Sequence, residues 1–285
     1  MHLGSLIFKV CSMNCIDVII PCYNAENTLA RAVESVLAQP ELGCLWLIDD
    51  ASTDNTAILI QQWQQRYPQK IRAEYLVSNR GPALARNWGA LLSASSHIAF
   101  LDADDAYQPH ALQAACAVFH FRPQSGLLRL PVTGYNIPEE YREHEQFDLI
   151  WRTFEMITAT NTVFNRAYFL ACGGFPADSL FRQLGGEDGA LGLATIESCM
   201  VATLFDKAGM TDIGVNFYGH DSMYVRKLFD SMLSGQARPD CDEHAMQQAN
   251  TVTQTIVHRL LDLRQILNHP KPGKQALQLF TDLTG

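Results

Sequence analysis

Ile98-Ala99-Phe100-Leu101-Asp102-Ala103-Asp104-Asp105 decides how the rest of the chain is read. An apolar run, from His97 to Leu101, predicts a strand, and that strand delivers three carboxylates into one short turn. Left uncompensated, like charges this close repel by an amount on the order of several kcal/mol at a protein-like dielectric. A divalent cation with a taste for oxygen ligands, Mg²⁺ or Mn²⁺, would remove that cost. A turn of solvated or helix-capping acids would carry the same letters.

Upstream, strands and helices alternate. Cys15 to Ile20 is a short β-branched run ended by Pro21, and Leu29, Ala32, Val33, Val36 and Leu37 form a helical stripe. Leu45 to Ile48 predicts a second strand, closed by Asp49-Asp50. Ser52, Thr53 and Asp54 read as capping residues for a helix running to Tyr67. Ile71 to Val77 predicts a third strand. Pro82 suits the first turn of a helix with Leu84, Trp88, Leu91 and Leu92 on one face. This alternation predicts a parallel, doubly wound sheet, in which ligands bind beyond the carboxyl ends of the strands. Those ends are Pro21-Cys22-Tyr23-Asn24, Asp49-Asp50 and Asp102 to Asp105.

The second half is less regular. Leu127 to Val132, Thr162 to Asn165 and Ile213 to Tyr218 are strand candidates, and Pro138 to His144 reads as a loop. Phe147 to Phe154 is an aromatic, acidic stretch suited either to stacking on a ligand ring or to core packing. Gly185-Gly186-Glu187-Asp188-Gly189 places two acids at the start of a helix expected to run buried to Phe205. A carboxylate there is a candidate general base, or simply a helix cap. Arg86 and Asn87 lie on the helix after the third strand, where a fixed Arg can support the acid turn, contact a diphosphate or form an ordinary surface salt bridge. His220-Asp221 follows the last strand candidate. From Glu243 onward Val252, Ile256, Leu260, Leu263 and Leu267 recur at helical spacing until Pro270, predicting a helix packed on the body.

Composition narrows the classes. The 285 residues carry 21 Lys and Arg against 30 Asp and Glu, a net charge of -9, which disfavours non-specific nucleic-acid binding. Every long apolar run is interrupted by charge, so no membrane-spanning helix is expected. The first residues carry neither a long apolar core nor a cleavage site. The eight cysteines form no C-x-x-C pair and are read as reduced thiols of an intracellular chain.

Taken in order, these stretches resemble a family 2 glycosyltransferase with the GT-A fold. The likeness is carried by Val18-Ile19-Ile20-Pro21-Cys22-Tyr23-Asn24, by Ile48 to Asp54, and by Asn79-Arg80-Gly81 through Arg86-Asn87. It continues in Phe100 to Asp105 and in Asn161 to Phe164, then through Gly173-Gly174-Phe175 to Gly186-Glu187-Asp188. It spans roughly residues 15 to 190. Cys22 is a minor departure, at a place where the family often has another small residue. The resemblance implies an α/β GT-A domain over 1–225. Its nucleotide-binding half would cover about 15–125 and its acceptor half about 126–225, followed by a C-terminal helical extension over 226–285.

The resemblance also implies roles. Pro21, Tyr23, Asn24, Asp50, Arg86 and Asp102 would bind the donor nucleotide. Asp102, Asp104 and His220 would hold Mn²⁺ or Mg²⁺. Asp188 would be the catalytic base, with Glu187 beside it. The implied activity is inverting, metal-dependent transfer of a sugar from a nucleoside-diphosphate sugar, a UDP-sugar by family preference, to a hydroxyl of a carbohydrate or glycoconjugate. The Q-x-x-R-W motif of processive synthases is missing, which implies one sugar per transfer. The implied setting is cytoplasmic, with peripheral attachment to the inner face of a membrane and a homodimer both left open.

Three other readings compete. A nucleotidyltransferase needs a glycine-rich basic loop after the first strand, and a nicotinamide dehydrogenase needs G-x-G-x-x-G there. Pro21 to Glu26 offers neither. A catalytically silent nucleotide-sugar binding or assembly module is countered by the presence of all the acids.

Overall fold

Ile16, Val18, Ile19 and Ile20 are all buried, so the first strand packs on both of its faces. A strand does this only inside a sheet covered on both sides, which is the doubly wound arrangement. The computed structural model describes residues 16–204, 212–218, 229–230, 232, 243–266 and 278–279. Its first half alternates β1 (Ile16–Cys22), α1 (Leu29–Leu37), β2 (Leu42–Asp49), α2 (Thr56–Arg66), β3 (Ile71–Tyr75), α3 (Pro82–Leu92) and β4 (His97–Phe100). There follow β5 (Ala106–Tyr107), α4 (Ala111–Phe121), β6 (Ser125–Arg129), β7 (Val132–Gly134), α5 (Glu139–Arg142), α6 (Phe147–Ile157) and β8 (Thr162–Asn165). The remainder comprises α7 (Arg166–Cys172), α8 (Ser179–Leu184), α9 (Glu187–Ser198), β9 (Met200–Leu204), β10 (Val215–Phe217), α10 (Glu243–Ile266) and β11 (Gln278–Leu279).

The main sheet has eight strands among the described residues, in the order β11-β9-β6-β8-β4-β1-β2-β3. All neighbours run parallel except β8, which lies antiparallel between β4 and β6. Leu29, Ala32, Val33 and Val36 of α1 join Val18 and Ile20 in the core on one face. Ile19, Phe100, Phe164 and Phe169 form the core on the other. Ile256, Val257 and Leu260 of α10 enter that second core, so the long helix packs on the body as expected. Leu267 lies outside the described residues.

Several segments differ from expectation. Helix α3 does not bury its large residues: Trp88 is 40% and Leu91 55% exposed, while Ala83, Ala85, Arg86, Gly89 and Ala90 are buried. The reason is proximity. A Cβ on Gly89 would stand 2.5 Å from Ile19 Cγ2, so only small residues let this helix lie on β1. The segment expected to be one helix to Phe205 splits at Cys199, whose backbone is extended, and β9 pairs with β6. Leu127 to Val132 is two strands, β6 and β7, joined through Leu130 and Pro131, because Pro131 has no N–H for a ladder.

Strand β10 joins β5 and β7 in a separate three-stranded sheet. The expected loop over Pro138 to His144 contains the short helix α5. Phe147 to Phe154 lies in helix α6, where Ile150 and Phe154 are buried and Trp151 Nε1 donates to the Val132 carbonyl, so this stretch packs. Cys22, Cys44, Cys172 and Cys199 are not in disulfides, whereas Cys116 is, which corrects the all-thiol expectation at that position.

Candidate active site

Parallel strands β1, β2 and β4 end side by side, and the loops beyond them open a cleft of about 560 Å³. Pro21, Tyr23 and Asn24 form one wall. Asp50, Arg86, Asp102 and Asp104 form another, and Arg182 closes the rim. The residues expected on the donor side are therefore brought together, as the strand-end rule requires.

The loops after β1 and β2 are tied to each other. Asn24, in left-handed backbone at φ 48°, donates its N–H to Ser52 Oγ and accepts from the Thr53 N–H through its Oδ1 at 2.8 Å. The Glu26 N–H donates to Asp54 Oδ2, and the Ala25 N–H to Thr56 Oγ1. Ser52 and Thr53 thus hold the cleft wall and do not cap α2, whose N-cap position is Asn55. Asp50 is 2% exposed and accepts the N–H groups of Arg80 and Gly81, both at 2.7 Å. Burial raises its pKa despite those two bonds. It therefore fixes the Asn79-Arg80-Gly81 turn and also faces the cleft.

Arg86 joins the two acidic motifs. Its Nη2 meets Asp102 Oδ1 at 2.6 Å, and its Nη1 meets Glu187 Oε1 at 3.5 Å. Burial alone would lower the pKa of this guanidinium, but Asp102 and then Glu187 hold it above its ordinary value. The next residue, Asn87, clamps the backbone of Phe175. Its Nδ2 donates to the Phe175 carbonyl, and its Oδ1 accepts the Phe175 N–H, both at 2.8 Å. Gly174 makes the clamp possible. It sits at φ 77°, and a Cβ there would lie within 3 Å of the Asn87 amide. Arg86 and Asn87 on α3 therefore register the second half of the chain against the first.

Asp188 stands in the first turn of α9, after Gly185 and Gly186, both in positive-φ backbone. It is half-buried, and its Oδ1 accepts from the Gly189 N–H at 2.9 Å. Burial, reinforced by the neighbouring Glu187 carboxylate and opposed by Arg86, pushes its pKa up to about 7. Asp105, the third acid of the turn, is fully buried, and its Oδ1 accepts from the Tyr218 N–H. It points toward the small sheet. His220 lies outside the described residues.

The donor set at the acid turn consists of hard oxygens. Asp102 keeps 30% of its side chain exposed, with Oδ1 committed to Arg86, and Asp104 lines the cleft beside it. No group of three or more His, Cys, Asp or Glu is gathered for a metal ion among the described residues. This set fits a Mg²⁺- or Mn²⁺-type ion held by one or two carboxylates and completed by substrate phosphates.

Two contributors escaped the sequence reading. Arg182, on α8, lines both this cleft and a second cavity next to it. Its only signal was a basic side chain shortly before Gly185-Gly186. Arg129, on β6, is 1% exposed and donates to the Glu155 and Thr158 carbonyls. Its place in a run of apolar letters gave the only clue.

The mainly parallel sheet, the cleft at its carboxyl edge and the paired acidic motifs together agree with a GT-A fold. Residues 17–178 match glycosyl transferase family 2, and the chain belongs to that family. It is 40% identical over 114 residues to an uncharacterised glycosyltransferase of Nostoc sp., a stretch covering 40% of this chain and 35% of that one. It is 38% identical over 123 residues to a minor teichoic acid biosynthesis protein of Bacillus subtilis, covering 41% of this chain and 27% of that protein. The matched stretch thus spans about a third of those relatives' length. Staphylococcus aureus TarS, residues 1–349, crystallised with UDP-GlcNAc, shares the fold at a TM-score of 0.61 and 18% identity, with 88% of this chain and 72% of that one covered. A Pyrobaculum calidifontis mannosyltransferase in complex with GDP-Man and Mn²⁺ shares it at a TM-score of 0.56 and 16% identity, with 91% and 76% covered. No helix among the described residues is long and apolar enough to cross a membrane.

Proposed function

We propose that the chain is a non-processive, inverting glycosyltransferase that moves a sugar from a nucleoside-diphosphate sugar, a UDP-sugar by preference, to an acceptor hydroxyl. The observation that carries this reading is the Arg86 bridge, which ties the acid turn of the donor cleft to Glu187 on the wall of the adjoining cavity. Each turn suits one half of the reaction. The walls from Pro21 to Asn24 and Asp50 receive the nucleotide. Asp102 and Asp104 face its diphosphate, and a divalent cation bound there would supply the charge neutralisation that a departing diphosphate needs. Asp188 takes the proton of the acceptor hydroxyl. That oxygen forms the new bond to the anomeric carbon, and the bond from that carbon to the diphosphate oxygen breaks with its electron pair leaving on the nucleotide. Attack opposite the leaving group inverts the centre. Arg86 holds Glu187 beside the base and Asp102 beside the diphosphate.

The likeness to nucleotide-sugar complexes of both UDP and GDP type supports a nucleotide donor and leaves the base to experiment. Calorimetric titration of UDP, GDP, CDP and TDP, each with Mn²⁺ and with chelator, tests the reading. One nucleotide should bind tightly, and its affinity should depend on the metal. Equal binding with and without chelator would remove the metal from the donor site, and no binding of any nucleotide would remove the donor site itself.

A further inference from the structure

We infer that the acceptor carries an anionic group, a phosphate or a carboxylate, and that Arg80 and Arg182 receive it in the cavity next to the donor cleft. The inference rests on the glycosyltransferase reading for the word acceptor, and on the cavity alone for the anion. That cavity, about 470 Å³, shares Asn79, Gly81, Pro82 and Arg182 with the donor cleft, so the two are contiguous. Both arginines on its wall are exposed. Among the described residues the Arg182 guanidinium has no hydrogen bond or ion pair, and Arg80 uses only its Nε, on Ser78 Oγ at 3.2 Å. The one carboxylate on this wall, Glu187, is turned to Arg86, and Asp50 of the adjoining cleft, which feels the Arg182 charge, is itself held by the Arg80 and Gly81 N–H groups.

Two guanidinium groups therefore line one pocket without a close ion pair, in a chain of net charge -9. Planar forks of this kind match phosphate and carboxylate oxygens two at a time, whereas neutral sugar hydroxyls need donors and acceptors in mixture. Ser179 and Gln183 on the same wall supply that mixture for the hydroxyl-bearing part of the molecule. Glu187, the chain neighbour of Asp188, lines the same cavity, so an acceptor anchored there by its anion would present a hydroxyl on the side of the proposed base.

The donor diphosphate is the other possible source of the anion, and Arg182 lines both spaces. Arg80 lines only the second cavity and separates the two cases. The probe is sn-glycerol 3-phosphate, with glycerol as the uncharged control, followed by ligand-observed NMR with and without saturating nucleoside diphosphate and Mn²⁺. Glycerol 3-phosphate should bind, glycerol should not, and Arg80→Gln and Arg182→Gln should each weaken binding at least ten-fold. Arg80→Lys should fall between wild type and Arg80→Gln. Binding should persist when the nucleotide is present. Equal affinity for both polyols, no loss in Arg80→Gln, or displacement of glycerol 3-phosphate by the nucleotide would each overturn the assignment. Nucleotide affinity read in the same samples keeps the two ideas apart. Intact nucleotide binding without glycerol 3-phosphate binding sinks the anion site and leaves the parent reading standing. Arginine-dependent glycerol 3-phosphate binding without nucleotide binding supports the anion site and sinks the parent reading.

Discussion

Asp188, the base of the proposed reaction, has a carboxyl shifted by its surroundings. Burial and the adjacent Glu187 raise its pKa to about 7, where a base takes up and releases protons most readily. Turnover should therefore rise with pH along a limb centred near 7, and Asp188→Asn should remove that limb. The same substitution should lower transfer by roughly 10²–10⁴-fold, the usual range for a general base, while nucleotide affinity stays within about two-fold. An Asp188→Asn enzyme with unchanged turnover would take this residue out of the mechanism. Stability gives a second reading. A carboxyl whose pKa is higher in the folded than in the unfolded chain stabilises the fold fully below its unfolded value, near 3.8, and loses that contribution as pH rises toward 7. Thermal unfolding should accordingly show Asp188→Asn more stable than wild type at pH 8, with the gap closing toward pH 4.

Among the elements, α3 bears most on the site. Its buried face is made of small residues, and Gly89 rests on Ile19 of β1. Arg86 lies three residues earlier on the same buried face. Gly89→Ala should therefore push the helix off the sheet, costing about 1–3 kcal/mol of stability through overpacking. It should also weaken nucleotide binding, because Arg86 moves with the helix. Urea unfolding checks the first effect and calorimetry the second. Stability equal to wild type would mean that β1 yields to the added methyl. This helix also shows what the sequence did and did not reveal. Its start at Pro82 was legible, because proline suits a first turn. Its buried face was not. The large residues Trp88 and Leu91 mimic a core stripe, and only the closeness of β1 demands small ones. Strands β1 to β4 and β8 were readable from their apolar runs, whereas β9 was not, because the strand it pairs with, β6, lies in a distant part of the chain.

Across the whole molecule, the acids at strand and helix ends could be named in advance, since position and residue type coincide there. Arg86 could be named too, as a support for the acid turn, but its second contact could not. Glu187 is 101 residues from Arg86, and no spacing rule connects positions so far apart. Replacing Arg86 by Met should leave Glu187 and part of Asp102 buried without a counter-charge, at a cost of about 3 kcal/mol, the low end for a buried pair because Asp102 is partly exposed. Denaturant midpoints of Arg86→Met and Arg86→Lys should differ from wild type in that order, with Lys recovering only part of the loss. A midpoint for Arg86→Met equal to wild type would mean that the bridge contributes nothing to the fold.

The Asn87 clamp has a consequence for recombination. Two adjacent residues on α3 hold the other half of the chain, one by charge to Glu187 and one by paired amide bonds to Phe175. A chimera that grafts a relative's C-terminal half onto this N-terminal half would need an acid to meet Arg86 and a glycine to make way for Asn87. The two halves of this chain are therefore interchangeable only with partners that bring both, however similar the remaining surface is.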